Sequence, residues 1–332
     1  MVPTEKRRMI MTKTPLRITF VGGGTDIPEF YRNYGPGVSI AAAINKYIYI
    51  TVHKRFDNSL RISYSKTEIV NTVDEIEHPT VREALKLIGI DGGVEITNIA
   101  DIPSGGTGLG SSSSFLVGLL NALHAWKGEY VSPTQLAREA VKIEREILKE
   151  PGGKQDQYIA ALGGMQFMEF CKDDSVVTIP LIMPEESRQK LQDHLLMLYT
   201  GTQKAQAGIH DKMAKTVDDK ASKYKEMVKL GYSMFNDLSR NDWKSTGRYL
   251  HENWLLKKET HGLDDPRIDS YYNAALKAGA IGGKVLGAGN RGFFIFFAPP
   301  EKHESIKQAL SGLRPEPFAF ESLGSRIIYV GD

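Results

Sequence analysis

Pro103-Ser104-Gly105-Gly106-Thr107-Gly108-Leu109-Gly110-Ser111-Ser112-Ser113-Ser114 lies between a short β-branched run at 94–99 and an apolar stretch at 115–123. That order predicts a strand, a glycine- and serine-rich loop, and an apolar helix over about 113–126. Glycine lets a backbone turn tightly and approach a ligand with no side chain between them. The start of a helix adds N–H groups without intrahelical partners and the positive end of the dipole, which together suit phosphate. The serine hydroxyls offer further hydrogen bonds or a place on magnesium. No lysine follows Gly110, so this is not a Walker A loop. A plain surface linker fits less well, because it would not lead straight into so apolar a helix.

Upstream, residues 10–21 read as a strand that runs into Gly22-Gly23-Gly24. Arg17 on that strand and Asp26 at the end of the loop form a polar pair suited to a site. Asp26 has a plainer alternative, as cap of a helix starting at Pro28. Residues 38–52 read as one or two strands, with 60–64 pairing with them, and 79–88 as a helix that starts at Pro79. Downstream, 133–150 is an amphipathic helix with Leu136, Ala140, Ile143 and Ile147 on one stripe, stopped by Pro151-Gly152-Gly153. Strands follow at 163–170 and 176–179. After Pro184 a few strands (195–199, 285, 293–297, 327–330) alternate with helices over 204–239, 243–260 and 266–278, an α+β pattern. The expected division is 1–182 and 183–332. Gly287-Ala288-Gly289-Asn290-Arg291-Gly292 matches G-x-G-x-x-G letter for letter. The dinucleotide fingerprint needs a helix next, but Phe293-Phe294-Ile295-Phe296-Phe297 reads as a strand. The loop is therefore a hairpin, either purely structural or closing over a ligand.

Composition limits the classes. The 332 residues are 41% hydrophobic and 25% charged, with 42 Lys+Arg against 40 Asp+Glu. A net charge of +2 argues against nucleic-acid and membrane-surface partners. No apolar run reaches the ~20 residues of a membrane span. The charged start at 1–8 has no apolar core after it, unlike a signal peptide. The single Cys171 rules out an internal disulfide and suits a reducing cytoplasm. His53, His124 and His210 have no partners at metal spacing. Trp126, Trp243 and Trp254 read as packing residues.

Taken together, these loops resemble the GHMP kinases, the superfamily of galactokinase, homoserine kinase and mevalonate kinase. Pro15, Arg17, Gly22 and Asp26 fit the offsets of the first family motif, and Gly108 to Ser112 the phosphate loop. Gly287 to Gly292 fits the C-terminal glycine hairpin, and Gly152-Gly153-Lys154-Gln155-Asp156-Gln157 a fourth element. The resemblance implies an α+β, two-domain fold: an N-terminal ribosomal-S5-domain-2-like α/β domain over 1–182 and a C-terminal ferredoxin-like α+β domain over 183–332. It implies ATP held by Gly105, Gly106, Thr107, Gly108, Leu109, Gly110, Ser111, Ser112 and Ser113, and Mg2+ held by Ser112 and Glu144. Asp156 would be general base or hydroxyl-orienting group, with Arg17 beside it to keep it ionised and to stabilise the transferring phosphoryl. Substrate contacts would come from Arg17, Gly23, Gly24, Thr25, Asp26, Lys154, Asp156, Gly287 and Gly289.

Galactokinase-like members have Gly-Glu-His where this chain has Gly22-Gly23-Gly24. That opens space and resembles the D-glycero-D-manno-heptose 7-phosphate 1-kinases. The resemblance implies phosphorylation of the anomeric hydroxyl of heptose 7-phosphate, toward nucleotide-activated heptose. A second substrate phosphate needs cations, for which Lys154, Lys204 and Arg291 are candidates and Lys154 is best placed. The phosphate loop carries one extra residue within 104–107, and Asn290-Arg291 stand where relatives usually have glycines. The alternatives are another sugar kinase of fucokinase or galactokinase type, or a non-catalytic sugar-phosphate binder. The oligomeric state is open, a homodimer included.

Overall fold

A computed structural model describes residues 9–102, 106–201, 216–289 and 291–331. Gly105 with Ser104, Lys204, His210 and Asn290, all singled out above, lie outside the described residues.

The first sheet is built on β1 (Met9–Val21) and β2 (Gly37–Lys54), joined through α1 (Pro28–Tyr34). They pair antiparallel from Met9 opposite His53 to Val21 opposite Ile40. The second half of β2 alternates buried and open residues, as a strand with one solvated face does; its first half is buried throughout. β3 (Leu60–Ser63) and β4 (Thr67–Val70) form a hairpin. After α2 (Pro79–Ile88), β5 (Val94–Ala100) pairs antiparallel with β2 and parallel with β3. The 60–64 segment therefore does not pair with β2 as expected. From Ile48 to Lys54 that edge of β2 is already taken by β5.

The segment of the phosphate loop leads into α3 (Ser111–Lys127), followed by α4 (Pro133–Val141) and α5 (Gln155–Leu162). β6 (Met165–Phe170) pairs with the first half of β2, and β7 (Val176–Pro180) extends the sheet from β6. Residues Lys142–Ile147 continue α4 as a π-helical turn. Leu136, Ala140 and Ile143 are buried as the stripe predicts, but Ile147 is 42% exposed and Glu144 only 1%. The wider turn breaks the 3.6-residue register and rotates Glu144 inward, a displacement that often marks functional sites.

After α6 (Glu185–Asp193) come β8 (Leu195–Tyr199), α7 (Val217–Ser239), α8 (Thr246–His261) and α9 (Pro266–Lys277). Then follow β9 (Gly282–Val285), β10 (Phe293–Phe297), α10 (His303–Ala309) and β11 (Arg314–Pro315). The strands form a four-stranded antiparallel sheet in the order β11-β8-β10-β9. β10 is buried on both faces. Phe294 and Phe296 pack with Trp254, Tyr272 and Ile306, while Phe293, Ile295 and Phe297 join the main core. A strand clamped on both sides anchors the glycine loop that precedes it. β12 (Arg326–Gly331) returns to the first sheet and pairs with β1. β12, near the end of the 183–332 segment, therefore adds to the first sheet, because a strand's own pattern does not name the edge it joins.

Candidate active site

Arg17 reaches the site because β1 runs beneath the phosphate loop. Its N–H donates to the Leu109 carbonyl at 3.0 Å, and Nη1 donates to the Gly108 carbonyl. Asp156 stands in the first turn of α5. The two side chains form a bidentate pair, Nε to Oδ1 at 2.8 Å and Nη2 to Oδ2 at 2.6 Å, the geometry that makes charge-assisted bonds strong. The Arg17 side chain is 4% exposed and that of Asp156 22%, so the pair opens outward on the carboxylate side. Gly110 lies against both: a Cβ there would sit 3.2 Å from Arg17 Cγ and 3.3 Å from Asp156 Oδ2.

The glycine hairpin between β9 and β10 closes onto the same loop. A Cβ on Gly108 would stand 2.6 Å from the Leu286 carbonyl, and one on Gly287 would overlap Gly108 Cα. Two backbones come this close only where both residues are glycine. Thr200, at the end of β8, anchors the far side of the hairpin by accepting from the Gly292 N–H at 3.1 Å. The Arg291 guanidinium lies over Gly106, so this side chain is placed on the phosphate loop.

Glu144 faces the first turn of α3. Its carboxylate accepts from Ser113 Oγ at 2.9 Å, from Ser112 Oγ at 3.4 Å and from Gln157 Nε2, and Arg145 Nη2 stands 3.5 Å away. Burial pushes the Glu144 carboxyl up, against the pull of Arg145. Ser113 is the nearer serine, while Ser112 is exposed. Gln157 Oε1 is buried without a partner among the described residues. Flipping the amide would aim that oxygen at the carboxylate, so the orphaned acceptor stays beside Glu144.

The first glycine loop is tied down rather than open along its whole length. Asp26 accepts from the Gly24 N–H at 2.9 Å and the Gln155 N–H at 3.2 Å, and α1 has no side-chain cap. Asp26 thus braces the loop against the start of α5, one residue before Asp156. The Thr25 hydroxyl exchanges hydrogen bonds with the main chain of Val38. Gly23 is open: the nearest atom to a Cβ there would be Gln155 Nε2 at 3.9 Å. Lys154 is not the open cation expected. It is buried, and its Nζ donates to the Asp174 carbonyl and Oδ1, each at 3.2 Å. Partial burial opposes ionisation of Asp174, but bonds from Arg32, Tyr31 and Lys154 outweigh it and hold its pKa at about 2.

Residues 68–164 match the GHMP kinases N-terminal domain and residues 234–314 the GHMP kinases C-terminal domain. The chain is 30% identical to the D-glycero-alpha-D-manno-heptose 7-phosphate kinase of Campylobacter jejuni, over 91% of this chain and 93% of that one. The chain belongs to the GHMP kinase family. It is a phosphotransferase, and ATP is the donor of its family. A further GHMP relative, the galactokinase of Pyrococcus furiosus, is 24% identical over 91% of this chain and 92% of that one. Among solved structures, a D-glycero-D-manno-heptose 1-phosphate kinase from Bacteroides thetaiotaomicron superposes with a TM-score of 0.80. It is 26% identical and covers 97% of this chain and 100% of that one.

Two lysines of this GHMP kinase escape a reading based on loops. Lys257 on α8 is 2% exposed, and its Nζ donates to the Val285 and Gly287 carbonyls. Lys284 on β9 is as deeply buried and donates to the Phe20 carbonyl at 3.2 Å and Asn253 Oδ1 at 2.6 Å. Periodicity held a signal for the first of them. Leu250, Asn253, Trp254, Lys257 and His261 recur at helical spacing, and all of them are buried.

Proposed function

We propose that this GHMP kinase transfers the γ-phosphoryl group of ATP to the anomeric hydroxyl of D-glycero-D-manno-heptose 7-phosphate. The observation that carries the reading is the Asp156 carboxylate, held bidentately by Arg17 beside Gly110 of the phosphate loop. As the sugar oxygen attacks the γ-phosphorus, Asp156 takes its proton and the bond to the ADP oxygen breaks. Arg17 keeps the carboxylate oriented and sets positive charge next to the transferring group. The loop backbone and the start of α3 supply N–H donors to the phosphates. The bare Gly23 position leaves room for a long sugar, and the likeness to the Campylobacter heptose 7-phosphate kinase supports that substrate. We place the reaction in the cytoplasm, where ATP is at hand and the free Cys171 is kept reduced.

Release of ADP, coupled to an optical readout, tests the sugar. Heptose 7-phosphate should turn over faster than unphosphorylated heptose, galactose or fucose. Faster turnover of free galactose or fucose would sink the heptose-phosphate reading and leave the family assignment intact.

The Glu144 carboxylate, the open Ser112 hydroxyl and the orphaned Gln157 Oε1 fit a hard, oxygen-seeking magnesium ion that keeps several waters and phosphate oxygens. Bound there, magnesium would neutralise charge on the ATP phosphates. Because burial raises the Glu144 pKa, its protonated form persists further up from the acid side, and the magnesium requirement should increase as pH falls. Glu144→Gln should raise the magnesium needed for half-maximal rate and flatten this pH dependence, and Ser112→Ala should raise the requirement. Magnesium titrations at pH 6 and pH 8 that match the parent would remove these residues from the metal site.

A further inference from the structure

We propose that Lys257 is a positioning residue that sets the glycine hairpin as an anion-binding face, presenting the backbone N–H groups of 287–289 to a phosphoryl oxygen at the phosphate loop. The proposal rests on the kinase reading above and extends it to a residue outside the loops.

The geometry starts beneath the hairpin. Lys257 Nζ donates to the Gly287 carbonyl at 2.5 Å and to the Val285 carbonyl at 3.2 Å. The loop wraps the ammonium closely enough that a Cβ on Gly289 would lie 3.0 Å from Lys257 Cε. In a planar trans peptide the next N–H points opposite to the carbonyl. With the Gly287 carbonyl turned down to Lys257, the Ala288 N–H faces away from the buried ammonium. The Leu286 and Gly292 N–H groups are spent on the Phe293 carbonyl and on Thr200. Those of Gly287, Ala288 and Gly289 have no partner among the described residues. Gly287 and Gly289 both have positive φ, at 64° and 96°. Successive N–H groups in such a turn form a concavity that binds anions, and an ammonium on the opposite carbonyl strengthens the donors. Gly287 touches Gly108, so the concavity adjoins the loop that faces the phosphates.

Charge points the same way. Among the described residues neither Lys257 nor Lys284 meets a carboxylate; each ammonium is held by neutral oxygens alone. Buried ammonium groups held this way are costly. The charged groups acting on Lys257 are Arg17 on β1, Asp156 on α5, Asp26 in the first glycine loop and Lys284 on β9. With both lysines protonated, Lys257, Lys284 and Arg17 are three cations against two carboxylates, which leaves positive charge in excess. Burial first, then Arg17, bring the Lys257 pKa down to about 7, against the pull of Asp156 and Asp26. Near neutral pH the ligand-free hairpin therefore sits on a partly deprotonated amine, and an arriving phosphoryl dianion draws a proton onto it. That group comes either from ATP or from the phosphate of the sugar substrate.

Calorimetry at pH 8 in two buffers of different ionisation enthalpy separates these sources, using ATP alone and, separately, the sugar phosphate that turns over in the ADP-release assay. One of the two ligands should bind with proton uptake. In Lys257→Met that uptake should vanish and the same ligand should weaken about tenfold or more, while the other stays within about twofold. In the wild-type protein the affinity for that ligand should fall as pH rises from 7 to 9, a measurement that stands even if the variant fails to fold. Binding of both ligands without uptake, uptake that persists in Lys257→Met, or a flat wild-type pH dependence overturns the proposal. If heptose 7-phosphate does not turn over but ATP binds with Lys257-dependent uptake, the sugar assignment fails and the role of Lys257 stands.

Discussion

Asp156→Asn should leave ATP affinity near that of the parent and lower kcat by about 10²-fold or more, the range that a positioned acid–base group supplies. The asparagine oxygen still accepts from Arg17 Nε, so α5 keeps its place against β1. What disappears is the capacity to take a proton and the second, charge-assisted bond to Nη2. Arg17 is almost fully buried and would lose its countercharge, so melting should also move down, because breaking a buried pair costs roughly 3–5 kcal/mol and this one is open on its carboxylate side. Nucleotide calorimetry and steady-state kinetics on the same preparation check the two halves of the prediction. Full activity in the variant would remove Asp156 from the reaction.

Gly108→Val should weaken nucleotide binding by about 10²-fold or more, the loss expected when more than one charge-assisted backbone bond, at roughly 1.5–3 kcal/mol each, goes unmade. Two effects act together. Gly108 has φ +75°, where a β-branched residue is strained. A Cβ there would also stand 2.6 Å from the Leu286 carbonyl and force the hairpin off the loop. The hydrophobic core does not include this residue, so far-UV circular dichroism should be unchanged. An unchanged nucleotide affinity by calorimetry would show that the 106–113 loop does not bind ATP.

The local elements were legible because each is written in neighbouring residues. The helical stripe at 79–88, the apolar strand 293–297 and the glycine loop ahead of α3 stand in the fold where their patterns put them. The G-x-G-x-x-G segment is a hairpin, as the strand after it required. The four resemblance motifs also led to one place, since Arg17, Gly110, Asp156 and the Gly287 hairpin converge in space.

Other features depend on contacts that no local pattern states. Lys154 looked like an available cation two residues from Asp156, but the turn before β7 brings Asp174 to it and takes up its charge. Ile147 belonged to the apolar stripe until a π turn rotated the helix and buried Glu144 in its stead. β12 could have joined either sheet, and the open edge of β1 decided it. By itself the sequence determined the loops and most of the strands and helices, because glycine conformation and side-chain periodicity are properties of short segments. Arg17 and Asp156, 139 positions apart, were brought together beforehand only by the resemblance. Only the tertiary structure decided which charges are spent and which remain: Lys257 lies 240 positions from Arg17, and burial, which sets the cost and the proton affinity of an ammonium, exists only once α8, β9 and β1 have packed around it.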